Sequence, residues 1–252
     1  MIEIKTPAEI EKMRRPAQIV GDILAELRTL VRPGVTTAEL DRVAEKRIDE
    51  AGARSAFKNY KVGPNVFPAV LCTSINEEIV HGIPAERIVE EGDILSLDFG
   101  VEIDGFYGDS ALTIAVGEID AENKRLLEVT ERSLYAGIEQ MQPGGRLGDI
   151  GAAVQEVAEA EGYSIVRDFV GHGIGRALHE DPQVPNYGSR GKGRGLRAGM
   201  VLAVEPMVNL GTAAVRVLDD GWTAVTADGR RAAHFEHTIA ITDDGPEILT
   251  KV

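Results

Sequence analysis

The sequence predicts an α+β chain built twice, two similar halves sharing one sheet. The first observation is a repeated segment. RPGVTTAELDRVAEKRIDEAGA begins at Arg32 and QPGGRLGDIGAAVQEVAEAEGY at Gln142, so that Pro33-Gly34 matches Pro143-Gly144 and Gly52 matches Gly162, each 110 residues on. The second is that the likeness runs on into apolar, strand-like runs. EGDILSLDFG lines up with AGMVLAVEPM, which sets Asp98 against Glu205, and the HGI tripeptides at His81 and His172 keep the same order. The second copy holds about 16 extra residues before its strand. A Pro-Gly step before a helix is also ordinary turn chemistry, so it is the agreement in order that favours duplication.

Each half opens with helical patterning. Residues 7–31 and 121–141 carry helical apolar spacing, as in Ile19, Ile23, Leu27 and Leu30. Each repeated segment then reads as a Pro-Gly turn, a capping residue (Thr36 or Thr37 in the first copy) and an amphipathic helix ended by glycine. LSLDFGVEI and FYGDSALTIAV flank Asp104-Gly105, a strong type I′ hairpin signal. With those two residues at the turn, paired positions sum to 209 and Asp98 opposes Ala111. Asp109 then lies on the face of Asp98, at a diagonal of roughly 7–8 Å between Cα atoms. A register shift of one residue would put the two acids on opposite faces. The stretch GSRGKGRGLRAG (188–199) is glycine-rich and basic and reads as a mobile surface loop. Contact with ribosomal RNA near a nascent chain is its functional alternative.

Composition narrows the function. The net charge is −14, from 27 basic and 41 acidic residues, which disfavours a nucleic-acid platform or a binder of anionic membranes. The N-terminus lacks a continuous apolar core, and no stretch approaches the ~18 apolar residues of a membrane span. Cys72 is the only cysteine, so there is no intrachain disulfide and nothing points to an oxidising compartment. The expectation is a cytoplasmic protein, folded as one domain over 1–252 with the repeat dividing it at approximately 1–117 and 118–252.

Asp98, Asp109, His172, Glu205 and Glu236 each lie in or beside a short apolar run. Taken singly, each acid reads as one surface charge among 41. Taken together, four carboxylates and one imidazole are what two divalent transition ions require, and carboxylates beside apolar strands are costly unless a cation neutralises them. Oxygen-rich donors with one imidazole suit Co, Mn, Fe, Zn or Ni better than thiolate-seeking metals. Two such ions polarise a carbonyl and lower the pKa of bound water from ~15.7 to ~7. At ~1.4 kcal/mol per unit, that is about 12 kcal/mol in favour of hydroxide.

In order and spacing, LDFGVEIDGFYGD, GHGIGRALHEDP, VLAVEP and FEHTIAIT resemble the metal-binding motifs of type I methionine aminopeptidases, and INEEIVHGIP resembles the segment that carries a substrate-contacting histidine there. The resemblance covers nearly the whole chain. It implies the pita-bread fold, two pseudo-symmetric α+β halves around a curved antiparallel sheet. It also implies a dinuclear hydrolase that removes the initiator methionine from nascent polypeptide N-termini when the second residue is small. On this resemblance Asp98 chelates one ion, Asp109 and Glu236 bridge both, and His172 and Glu205 complete the second. Glu205 also accepts the proton of the attacking water. His179 stabilises the oxyanion, and His81 bonds the scissile amide or serves the leaving amine. Phe67, Cys72, Leu178 and Trp222 line the methionine pocket.

The pocket departs from the family's commonest pattern. Phe67 stands where tyrosine is frequent and Leu178 where a larger aromatic is usual, and Lys61 and Pro64 occupy positions that often carry pocket residues. Phe67 and Leu178 also read as ordinary core, and His234 and His237 as structural, with His237 turned away from the site face. The remaining alternatives are an Xaa-Pro aminopeptidase or prolidase, whose usual N-terminal domain has no room here, and a metal-free binding protein of the same fold. The chain is expected to be a minimal bacterial form and a monomer.

Overall fold

The computed structural model describes residues 2–251. Its four helices fall in two pairs: α1 (Pro7–Leu30) with α2 (Thr37–Glu50), and α3 (Ala121–Glu139) with α4 (Leu147–Ala160). Each pair precedes a set of strands, and α2 and α4 are both 14 residues long. Thr36 is the cap of α2. Its hydroxyl accepts the Glu39 N–H, while the Glu39 carboxylate accepts the Thr36 N–H at 2.8 Å, a reciprocal capping box.

α4 begins differently, and this corrects the expectation of a loosely held loop at 188–199. Arg146 supplies no hydroxyl cap. Instead the Leu147 and Gly148 N–H groups donate to Arg194 O and Lys192 O at 2.9 and 3.0 Å, and the Gly191 N–H donates to Asp149 Oδ1 at 2.6 Å. The segment is exposed, but its backbone satisfies a helix start that would otherwise be left with unpaired donors. The approach needs glycine on α4: a Cβ on Gly148 would lie 2.4 Å from Ser189 O.

The described strands form five sheets, with every pairing antiparallel, and the two largest carry the site. In the first half Ile94–Ile103 pairs with Phe106–Ala115 around Asp104-Gly105, both at positive φ (54° and 78°). The register sets Asp98 opposite Ala111 and Gly100 opposite Asp109, as the turn signal predicts. Cys72–Ile75 pairs on the other side, with Cys72 opposite Asp98. In the second half Val201–Val204 lies between Gly171–Gly173 and His237–Thr242.

Strand periodicity then places core and site on opposite faces. Leu95, Leu97, Phe99 and Val101 pack on Leu24, Leu27, Leu40 and Ile48 of α1 and α2, each large side chain contributing roughly 1.5–3 kcal/mol by burial. Ser96, Asp98 and Gly100 alternate with them and turn to the other face. In the second half Leu202, Ile239 and Ile241 pack on Leu134, Ile138 and Ile150 of α3 and α4.

The halves pair directly where Glu78–Val80 lies against Ala224–Thr226, and the two largest sheets meet at one isolated bridge, Ala111 to Glu236, with the Glu236 N–H donating to Ala111 O at 2.8 Å. Around it, side-chain hydroxyls take the place of ladder bonds. Ser110 Oγ donates to Glu236 O at 2.5 Å and Thr113 Oγ1 to His234 O at 2.8 Å. The shared sheet of the sequence reading is therefore divided, among the described residues, with its two largest pieces stitched along this seam and a smaller three-stranded sheet drawing strands from both halves.

Candidate metal centre

The seam brings the acids together. Asp98 and Asp109 share a face of the hairpin, and the Ala111–Glu236 bridge lays Glu236 beside them. His172 opposes Ala203, and Glu205 follows Val204 at the end of the same strand. All five line one cavity of about 210 Å³. Ligand atoms of Asp109, His172 and Glu236 lie within 4.8 Å of one another. His172 Nε2 is 3.5 Å from Glu205 Oε1 and 4.0 Å from Asp109 Oδ2. Its Nδ1 stands 2.9 Å from Gly173 O, a bond that requires the proton on Nδ1 and leaves the Nε2 lone pair facing the carboxylates. Gly100 keeps the space open, since a Cβ there would lie 3.2 Å from Asp109 Oδ1.

The electrostatics are those of a cation site. Burial, then the Asp109 charge, pushes the Asp98 carboxyl well up; Glu205 and Glu236 are raised by burial and by their acidic neighbours. Burial raises Asp109 to about 7, against a Ser110 N–H bond that lowers it. Asp98 Oδ1, Asp109 Oδ1 and Glu236 Oε1 are buried without a hydrogen-bond partner. Acceptors that are buried, unpaired and mutually repelling are costly, whereas cations satisfy all three conditions at once. Carboxylate oxygens with one neutral imidazole fit divalent metal.

The rest of the cavity is aromatic and apolar. Phe67 meets Trp222 edge-on at 5.2 Å between ring centroids, and Cys72 and Leu178 complete the wall with Phe57, Tyr60 and Val62. Burial raises the Cys72 thiol well above its ordinary value, with Asp98 and Asp109 adding to the effect, so it is a protonated wall and not a nucleophile. The His179 ring lies 4.4 Å from that of His172, and the Tyr60 hydroxyl is 2.8 Å from His179 Nδ1. His81 sits between Phe169 and Trp222, at 5.3 and 6.4 Å. Burial, helped by His179, lowers it to about 4, so it is neutral at pH 7.

The sequence signature described as Metallopeptidase family M24 matches residues 11–243. The chain belongs to metallopeptidase family M24. It is 51% identical over 252 residues to "Methionine aminopeptidase 1" of Bacillus subtilis, covering 100% of both chains. It superposes on the crystal structure of the methionine aminopeptidase from Thermotoga maritima with a TM-score of 0.97, at 48% identity and 100% coverage of both. The Xaa-Pro dipeptidase from Bacillus anthracis is more distant, with a TM-score of 0.78 and 25% identity, and the chain covers 62% of it. The expected pita-bread fold and the likeness to methionine aminopeptidases are both borne out.

Within this M24 cavity stand all the expected ligand, catalytic and pocket-wall residues: the four acids and His172, His81, His179, Phe67, Cys72, Leu178 and Trp222. Phe67 and Leu178 are also buried core, so the two readings of them coincide. Lys61 and Pro64 do not line it; Phe57, Tyr60 and Val62, missed by sequence reasoning, do. The only signal for them was two aromatics three residues apart before a Gly-Pro turn, which is weak. His237 faces away as expected, with Nδ1 2.8 Å from Thr250 Oγ1 and Nε2 3.4 Å from the Tyr135 hydroxyl. His234 is buried, and burial lowers it to about 3.

Proposed function

We propose that this M24 metallopeptidase removes the N-terminal methionine of nascent chains whose second residue is small. The observation that carries the reading is that the acidic cluster and the Phe67–Cys72–Leu178–Trp222 wall share one small cavity. A free α-amine held near the metals leaves room for one side chain before the scissile bond. A flexible, polarizable thioether suits an apolar wall of this kind.

In this reading two divalent ions, drawn from Co, Mn, Fe, Zn and Ni, are held by the five ligands. Asp98 would serve one ion, Asp109 and Glu236 would be shared, and His172 with Glu205 would complete the other. When bound, the metals supply Lewis acidity and hydroxide at neutral pH. Glu205 takes up the water proton, its Oε1 standing 3.5 Å from His172 Nε2 within the cluster. His179 faces the scissile carbonyl. A Tyr60 O–H donated to its Nδ1 fixes the ring proton on Nε2, where it serves as oxyanion donor. His81, neutral and buried beside Trp222, bonds the scissile amide or serves the leaving amine. Trp222 and Phe67 exclude water from the methionine pocket.

The chain is read as a single catalytic domain, with its repeat at approximately 1–117 and 118–252, and as a cytoplasmic monomer. Among the described residues no helix is long and apolar enough to cross a membrane. Contact with the ribosome is assigned to the exposed basic segment 188–199, whose backbone is fixed on α4. The test is a peptide panel with added Mn²⁺, Co²⁺ or Fe²⁺ and chelator controls. Cleavage of Met-Ala-Ser but not of Xaa-Pro dipeptides is expected; the reverse preference would move the protein to the prolidase branch.

A further inference from the structure

The cavity mouth is framed by a short hairpin that neither the metal centre nor the methionine pocket accounts for. Lys61–Val62 pairs with Asn65–Val66 across Gly63-Pro64, with Val62 opposite Asn65 and Lys61 opposite Val66. Directly opposed residues share a face, so Val62 and Asn65 look one way and Lys61 and Val66 the other. The Asn65 face is the one turned to the site. Asn65 Nδ2 donates to Gly221 O at 3.2 Å, next to Trp222. Gly221 suits the position, since its φ is 74° and a Cβ would lie 2.5 Å from Asn65 Nδ2 and displace that amide. The hairpin therefore spans the mouth from Tyr60 to the Trp222 loop.

Val62 lines the cavity and is nevertheless 55% exposed. An apolar side chain placed there lacks a protein partner on its outer side, and what passes through the mouth can cover it. Its position selects which part of the substrate that is. Tyr60 contacts His179, which the proposed function sets at the scissile carbonyl. Val62 follows two residues later, about 6.6 Å along extended chain. An extended substrate leaving the scissile carbonyl alongside Tyr60–Val62 advances by the same amount over two residues, which would bring its third residue level with Val62.

We propose that Val62 is a specificity-determining residue that contacts the third residue of the substrate and favours an apolar side chain there. The inference rests on the function proposed above. Met-Ala-Val and Met-Ala-Thr test it, since valine and threonine have nearly the same shape and differ in polarity. The wild type should prefer Met-Ala-Val in kcat/KM by about fivefold, the equivalent of about 1 kcal/mol of apolar contact. Val62→Thr should bring the ratio close to one. Val66→Thr, on the opposite face of the hairpin, should keep the wild-type ratio. The ratio is taken within one sample, so it does not depend on the folded fraction; if Val62→Thr gives no active protein, Val62→Ala reads the same quantity. A wild-type ratio of one, or a ratio that survives both Val62 substitutions, overturns the inference alone. A metal-loaded wild type inert on both peptides overturns the functional reading along with it.

Discussion

One hydroxyl holds both backbone groups of a proposed bridging ligand: Thr238 Oγ1 donates to Asp109 O at 2.8 Å and accepts the Asp109 N–H at 3.2 Å. Thr238 is two residues past Glu236 and fully buried. It therefore ties together, across the seam between the halves, the two strands that carry Asp109 and Glu236. Thr238→Val keeps the shape and leaves two buried polar groups unpaired, at a cost of about 1–3 kcal/mol each. The expected outcome is a lower Tm together with weaker metal binding in the protein that remains folded, both restored by Thr238→Ser. A thermal melt and a metal titration check it. Unchanged metal affinity would reduce Thr238 to a fold residue.

Asp109→Asn and Glu236→Gln remove one charge from a cluster whose members raise one another's carboxyl pKa values. Metal-free, these variants should melt at or above the metal-free wild type, because a like-charge repulsion is gone. Metal binding should weaken and turnover should nearly vanish. Wild-type turnover in either variant would refute the bridging role.

His179→Ala should lower kcat by roughly 10²–10³ if it donates to the oxyanion, with metal content unchanged. Tyr60→Phe removes only the hydroxyl that orients the ring, so the loss should be nearer tenfold, about the worth of one neutral hydrogen bond. Metal analysis beside steady-state kinetics separates the roles. Loss of metal in His179→Ala would make that histidine a ligand.

The stability of metal-free protein should depend on pH with a definite sign. Burial raises the Asp109 carboxyl from 3.8 to about 7, so the folded chain holds this proton more tightly than the unfolded one. That contribution is complete at low pH and is lost as pH rises through about 7. His172 acts oppositely: lowered by burial from 6.5 to about 3, it contributes above 6.5 and loses that contribution as pH falls. Above 6.5 the unfolded imidazole is already largely neutral, which leaves the carboxylates in control. Tm in chelator should therefore fall as pH rises from about 6.5 through about 7, and saturating divalent metal should remove the decline. A metal-free Tm that climbs over that window would contradict the assignment.

Local chemistry made much of this protein legible in one dimension. Asp104-Gly105 dictated the hairpin register, because residues that tolerate positive φ select a two-residue turn, and from that register Asp98 and Asp109 had to share a face. The Thr36–Glu39 capping box and the alternation in LSLDFGV are likewise properties of neighbouring residues, as is the acidic and imidazole donor set that pointed to divalent metal. Tertiary structure alone decided what depends on distant residues meeting. It seated Glu236 beside Ala111 and placed Tyr60 on His179. It also turned the glycine-rich 188–199 segment into the cap of α4. The first two contacts come from packing two halves against each other and the third from a long-range return within the second half, and no local spacing encodes that geometry.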